Sequence, residues 1–184
     1  MNDLFTTYSW VRRTLNWVVT IGSVFICLLV LPTRLPGMSL LGVGPNWLLI
    51  WVVAWSVRRT MFEGAIAGVV LGLIQDGMTS PHPTHMLGLA LVGVLTARIR
   101  KQRYIQEDFI SIALIVFGMA VLAETVTAIQ FSLQTDRNLA EIWTYHQRIA
   151  LSSAILSSLW APAIYYPLKR WWQRVHFLEQ AQTS

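Results

Sequence analysis

The chain is poor in charge. Only 12% of its 184 residues are Asp, Glu, Lys or Arg, while 54% are apolar; an ordinary soluble domain carries about 25% charged residues. So few charges place the chain among membrane proteins before any motif is read. There is a single cysteine, Cys27, which excludes a disulfide framework and a cysteine-rich metal site. It lies inside an apolar run, where a free thiol behaves as a small hydrophobe. The sequence has no nucleophile elbow, phosphate-binding glycine loop or catalytic dyad, so it offers no catalytic residues and reads as a non-enzyme. It also has no internal repeat, low-complexity tract or linker, and residues 1–184 read as one integral membrane domain.

The charge that is present is arranged. Of fourteen Lys and Arg residues, eleven fall in four clusters at every second boundary between apolar segments. Arg12 and Arg13 precede the first segment, and Arg58 and Arg59 follow the second. Arg98, Arg100, Lys101 and Arg103 follow the fourth, and Lys169, Arg170 and Arg174 follow the sixth. The alternate connections hold only Arg34, Arg137 and Arg148. Cations are hard to translocate and accumulate on the cytoplasmic side, so the alternation predicts six spans with both termini cytoplasmic. The net charge of +5 sits in juxtamembrane clusters with no soluble domain behind them. That favours membrane lipid over nucleic acid as the partner, either through plain orientation or through recognition of anionic lipid.

At about 1.5 Å rise per residue, a hydrocarbon core of about 30 Å needs about 20 helical residues. The spans are expected at about 15–31, 43–57, 61–76, 86–99, 109–133 and 149–168, giving an all-α six-helix bundle. Arg12-Arg13 before an apolar stretch has the outline of a signal peptide, but residues 15–31 end at Pro32 without a small-x-small cleavage site. They are expected to be an uncleaved first span. Pro45 suits a first helical turn, and Gly42 to Gly44 are needed if the second span is to reach full length. The third and fourth are short enough to be either a crossing hairpin or a re-entrant pair, and the charge alternation favours crossing. Pro162 is the expected kink of the sixth. Of nine tryptophans, Trp10, Trp17, Trp47, Trp143, Trp160, Trp171 and Trp172 fall near predicted boundaries as headgroup-level anchors. Trp51 and Trp55 lie deeper, against lipid or a neighbouring helix.

Three constellations stand out. Gly64, Gly68 and Gly72 recur every four residues along one face of the third span, and Ala150, Ala154, Ser157, Ser158 and Ala161 form a comparable face on the sixth. In lipid no hydrophobic drive separates helix from tail, so close approach through small residues replaces it. The two faces either pack inside the bundle, against each other, or receive a partner helix. Glu124, within the fifth span, either pairs with Arg137 or Arg148 or carries a proton or substrate role, as an intramembrane carboxylate can. Asp76 ends the third span with Gly77 completing the turn, and His82 and His85 follow, with His146 in a later loop. Prolines 81 and 83 break the geometry that would aim two imidazoles at one ion, so no metal is expected.

The block from Gly64 to Arg98 resembles the rod shape-determining protein MreD family. It reads Gly-Ala-Ile-Ala-Gly-Val-Val-Leu-Gly-Leu-Ile-Gln-Asp-Gly, a polar turn, then Leu-Gly-Leu-Ala-Leu-Val-Gly-Val-Leu-Thr-Ala-Arg. Pro45-Asn46-Trp47-Leu48-Leu49, the cationic Arg58-Arg59 and the overall length support it, while the turn from Thr79 to His85 is richer in proline and histidine than the family pattern. The resemblance implies a non-enzymatic inner-membrane scaffold with no cofactor, associated with a bitopic MreC-like protein and, through it, MreB-like filaments and peptidoglycan synthases. It also implies an architecture similar to the substrate-binding subunits of energy-coupling-factor vitamin transporters, which makes such a subunit the alternative function. No catalytic residues come with it.

Overall fold

The computed structural model describes residues 2–33, 38–40, 42–79, 85–101, 108–134 and 139–180. They form six helices: α1 Asn2–Val30, α2 Trp47–Ser56, α3 Met61–Thr79, α4 His85–Lys101, α5 Phe109–Gln134 and α6 Leu139–Gln180. Three stretches, Met61–Thr79, Phe109–Leu133 and His146–Arg174, are long and apolar enough to cross a bilayer; Thr14–Val30, Trp47–Ser56 and His85–Ile99 are shorter apolar helices. The exterior is that of a membrane protein. Phe62, Ile110, Leu114, Leu133 and Leu159 are each more than two-thirds exposed, a surface far more apolar than the few hundred Å² that a soluble monomer presents in one patch.

The centre of the bundle is α2. Nine of its ten residues are buried, and it touches every other helix. Ten residues rise about 15 Å, half of a hydrocarbon core. The expected span over 43–57 is therefore not a continuous helix. Gly42 adopts φ 80° in a tight turn closed by reciprocal Leu40 and Val43 backbone bonds of 2.9 and 3.0 Å. Pro45 precedes the helix and does not open it. Asn46 is the cap, its Oδ1 accepting from the Leu49 N–H at 3.0 Å, while its own N–H donates to Ser157 Oγ at 2.9 Å and fastens the start of α2 to α6.

The α2–α3 connection is three residues of turn and one cap. Thr60 and Glu63 form a capping box: the Thr60 N–H donates to Glu63 Oε2 at 2.9 Å, and the Glu63 N–H donates to Thr60 Oγ1 at 3.3 Å. This reciprocal pairing satisfies two of the orphan donors at the start of α3. Helix α3 then runs to Thr79, past the expected end at Asp76, so Gly77 continues the helix and does not complete a turn. Helices α3 and α4 form a tight antiparallel pair, α5 packs mainly on α6 and α4, and α1 attaches chiefly to α2.

Helix α6 has 42 residues and carries Pro162 and Pro167 inside it. It rises about 60 Å, roughly twice the hydrocarbon thickness. It begins ten residues before the expected span, so His146 lies on a helix and not in a loop.

Several tryptophans are core residues and not interfacial anchors. Trp47 is buried and meets Trp160 at 5.7 Å between centroids. Trp51 is buried, donates its indole N–H to Ser23 Oγ of α1 at 2.8 Å, and stacks on Trp55 at 5.4 Å. Trp55 in turn meets the edge of Trp172 at 5.4 Å and carries the Arg59 guanidinium over its face at 4.4 Å. Trp17 and Trp143 are exposed, in keeping with anchors, whereas the side chain of Trp10 lies outside the described residues.

Candidate functional site

The glycine face of α3 meets α4, not the small-residue face of α6. A Cβ built on Gly64 would stand 2.5 Å from the Gly93 carbonyl oxygen and 3.0 Å from Ser56 Oγ. At Gly68 it would collide with the Leu89 carbonyl and lie 2.6 Å from Ala90 Cα, and at Gly72 it would overlap the Met86 backbone. Gly93 returns the contact, since its Cβ would run into Gly64. The seam thus brings backbone against backbone over about two turns, the approach that small residues permit in lipid. Sequence reading missed Gly93 as the answering residue of the seam, and missed Gly88, which sits against Ala123 of α5. The signal was their spacing within the same Gly-rich block.

The far end of this seam is closed by Asp76. Its carboxylate is buried and accepts from the His85 N–H at 2.9 Å, the Met86 N–H at 3.2 Å and His85 Nδ1 at 2.7 Å. A side chain from α3 thereby caps the N-terminus of α4, where unsatisfied N–H groups and the positive end of the helix dipole favour a carboxylate. His85 is also within electrostatic range of Glu124 on α5. Three ionisable groups from three helices therefore gather near one end of the bundle. Among the described residues no group of three or more His, Cys, Asp or Glu can hold a metal ion. His82 lies outside the described residues.

Glu124 lines a cavity of about 470 Å³ between α5 and α6, together with Thr125, Trp143, His146 and Gln147; Asp76 is not among the residues that line it. The His146 ring packs on Phe131 at 5.4 Å between centroids. Arg148 is exposed and is not part of the lining, and Arg137 lies outside the described residues; the expected pairing with Arg148 does not form. Gln147 was not anticipated, because the 139–148 stretch is polar and reads as a loop, and Trp143 was expected only as a headgroup-level anchor.

The remaining predicted residues divide plainly. Ala154 is fully buried in the core, so it is not lipid-facing, whereas Ser158 is partly exposed and turns its hydroxyl to the Ile155 carbonyl at 2.8 Å. Arg59 and Arg98 are exposed, Arg58 half-buried, Lys169 partly exposed and Arg170 exposed. Arg12, Arg13, Arg100 and Lys101 stand on α1 and α4 with side chains outside the described residues, and Arg103 lies outside them altogether. The Trp55–Trp172 contact brings the Arg58–Arg59 turn beside the Lys169–Arg170 stretch, and Gly64 opposite Gly93 brings that turn near the end of α4 that carries Arg98. Three of the four cationic clusters thus share one end of the bundle.

An all-helical bundle with an apolar exterior, glycine-seamed helices and cations gathered at one end defines a polytopic membrane protein. The family model for the rod shape-determining protein MreD matches residues 11–170, and the chain belongs to that family. The family is a non-enzymatic membrane protein of the cell-shape machinery. No curated protein and no solved structure matches the chain, and no structural neighbour links the bundle to the vitamin-transporter subunits.

Proposed function

We propose that this rod shape-determining protein acts as an inner-membrane scaffold, with six crossings and both termini cytoplasmic. It docks the transmembrane helix of an MreC-like bitopic protein and, through it, MreB-like filaments and peptidoglycan synthases. The observation that carries the reading is the division between a rigid interior and an apolar exterior. The α3–α4 seam and the central α2 are closed to partners by direct backbone and side-chain packing. The outer faces of α1 (Trp17, Val18, Ile21, Phe25), α5 and α6 remain exposed. Small residues lie on those faces as well: Gly22 and Gly118 have no neighbour within 4 Å of an added Cβ, and Ser158 is partly exposed. Helix association in lipid rests on close packing at such points and on a few hydrogen bonds. The cationic end faces the cytoplasm in this reading, where Arg170 and Arg174 flank a groove with Tyr166 and Trp171 suited to anionic headgroups.

The alternative, a substrate-binding subunit of a vitamin-type transporter, needs polar groups converging from several helices on a closed pocket. Asp76 is committed to capping α4, and the cavity that Glu124 lines is built from α5 and α6 alone, which weighs toward the scaffold. Depletion of the protein should widen or round the cells and mislocalise the bitopic partner while vitamin uptake stays normal. Ser158→Leu and Gly118→Leu should lose partner capture yet remain folded. Normal cell width on depletion, with a specific uptake defect, would overturn the scaffold in favour of the transporter subunit.

A further inference from the structure

We propose that the cavity between α5 and α6 is a binding site for a primary ammonium group, carried either by an aminophospholipid headgroup or by a small soluble amine. The lining is selective by chemistry. Glu124 offers a carboxylate, Gln147 an amide oxygen, and Trp143 an aromatic face. The Thr125 hydroxyl spends its proton on the Val121 carbonyl at 2.7 Å, so what it turns to the cavity is oxygen lone pairs. These are acceptors and a π-surface, the complement of an –NH₃⁺ group. Among the described residues no lysine or arginine lines the cavity.

Among the described residues the carboxylate forms no ion pair. His85 lies within electrostatic range, but its Nδ1 is held by Asp76 at 2.7 Å. A charge in a low-dielectric site is tolerated when it is paired and hydrogen-bonded, and an incoming ammonium would supply both. The rest of the wall is the His146 imidazole, packed on Phe131, and the apolar side chains of Val121, Ala128, Ala150 and Leu151. Leu151 and Trp143 are each about half exposed, so the cavity opens onto the surface of the bundle. An amphiphile can enter with its headgroup toward Glu124 and its chain against the lipid-facing side of α5 and α6. A cavity of about 470 Å³ lies within the usual range for small-ligand sites, about 300–1,000 Å³.

The test uses the full chain purified in mild detergent, with lipid retention read by native mass spectrometry. The probes are phosphatidylethanolamine, its N-acetylated form with the same acyl chains, and free ethanolamine as competitor. Phosphatidylethanolamine should be retained about tenfold more tightly than the acetylated lipid, as expected for charge-assisted hydrogen bonds to a carboxylate. Glu124→Gln should abolish that preference while the protein elutes as a single species, because glutamine keeps shape and polar contacts. Competition by ethanolamine would assign the site to a soluble amine; retention of the lipid despite ethanolamine would assign it to the headgroup. Equal retention of both lipids, or an unchanged preference in Glu124→Gln, overturns the proposal. Should Glu124→Gln fail to fold, Gln147→Leu and Trp143→Leu decide in its place, since each leaves the carboxylate present and must still lower the preference.

Discussion

Alanine at Gly68 and alanine at Gly118 are the same chemical change on two helices of one bundle, and the structure expects opposite outcomes. At Gly68 the new Cβ would stand 2.5 Å from the Leu89 carbonyl carbon and 2.6 Å from Ala90 Cα, where ordinary contact begins at 3.4 Å. The neighbours are backbone atoms of a helix and cannot rotate away, so α3 and α4 must separate by about an ångström over the whole seam. Overpacking of this kind costs about 1–3 kcal/mol, against a helix-propensity gain of at most about 1 kcal/mol. At Gly118 nothing lies within 4 Å, so only the gain remains. The two variants should therefore differ by about 2 kcal/mol, roughly thirtyfold in the unfolding equilibrium. Reversible unfolding by SDS titration in mild detergent, followed by tryptophan fluorescence, reads this difference directly. Gly68→Leu extends the series and should be far worse than Val69→Leu, which adds its bulk beside the seam and not into it. Coincident transitions for Gly68→Ala and Gly118→Ala would refute the claim that α3 and α4 are held by glycine contact.

The cap on α4 makes a second prediction. Asp76→Ala strands two helix N–H groups and the His85 imidazole, and should cost about 2–3 kcal/mol in the same assay. His85→Ala should cost less, because the carboxylate keeps the backbone donors; an equal loss would mean that the imidazole pair, and not the cap, holds the end of the hairpin. Orientation is tested in a Cys27→Ser background with single cysteines at Asn2, Ser39, Thr79, Gln102, Asn138 and Ser184. Labels at 39, 79 and 138 should react from outside the cell and the other three only after permeabilisation. Reaction of residue 79 from the cytoplasmic side would make α3 and α4 a re-entrant pair.

The features legible in the sequence were those that lipid makes distinctive. The glycine repeat of α3 announced a close crossing, because small residues at fixed spacing have a use in a membrane that bulk hydrophobicity lacks. Cation clusters announced one end of the bundle, as the Trp55, Arg59 and Trp172 contacts illustrate. Which helix lies inside was not legible. In water a helix buried on all sides differs from its neighbours by being apolar all round; in lipid every helix is apolar all round. Trp47-Leu48-Leu49-Ile50-Trp51 therefore reads equally as a lipid-facing span or as the core, and Trp47, expected as a headgroup-level anchor, is buried against Trp160. Hydropathy also hid the first turns of α6, since His146, Gln147 and Arg148 are polar yet helical, and the first two line the cavity. Asp76 was recognisable as a helix-end residue, but its partners depend on how α3 and α4 face one another across a turn.

The same physics bears on how a scaffold can be both stable and sociable. If burial of apolar area held the bundle together, its apolar exterior would be an equal invitation to any helix in the membrane. The chain instead places its specific contacts where they are directional. The backbone approach at Gly64, Gly68 and Gly72, the Asp76 cap, the Asn46 bond to Ser157 and the Trp51 bond to Ser23 each demand a defined partner geometry. These contacts fix α1 to α2, α2 to α6 and α3 to α4, and leave the outward faces of α1 and α5 with few such demands of their own. A partner helix that supplies matching small-residue contacts gains close packing there, while lipid tails and unrelated helices gain nothing comparable. Selectivity on those faces then comes from shape and not from hydrophobicity, which is what a docking protein surrounded by hydrocarbon requires.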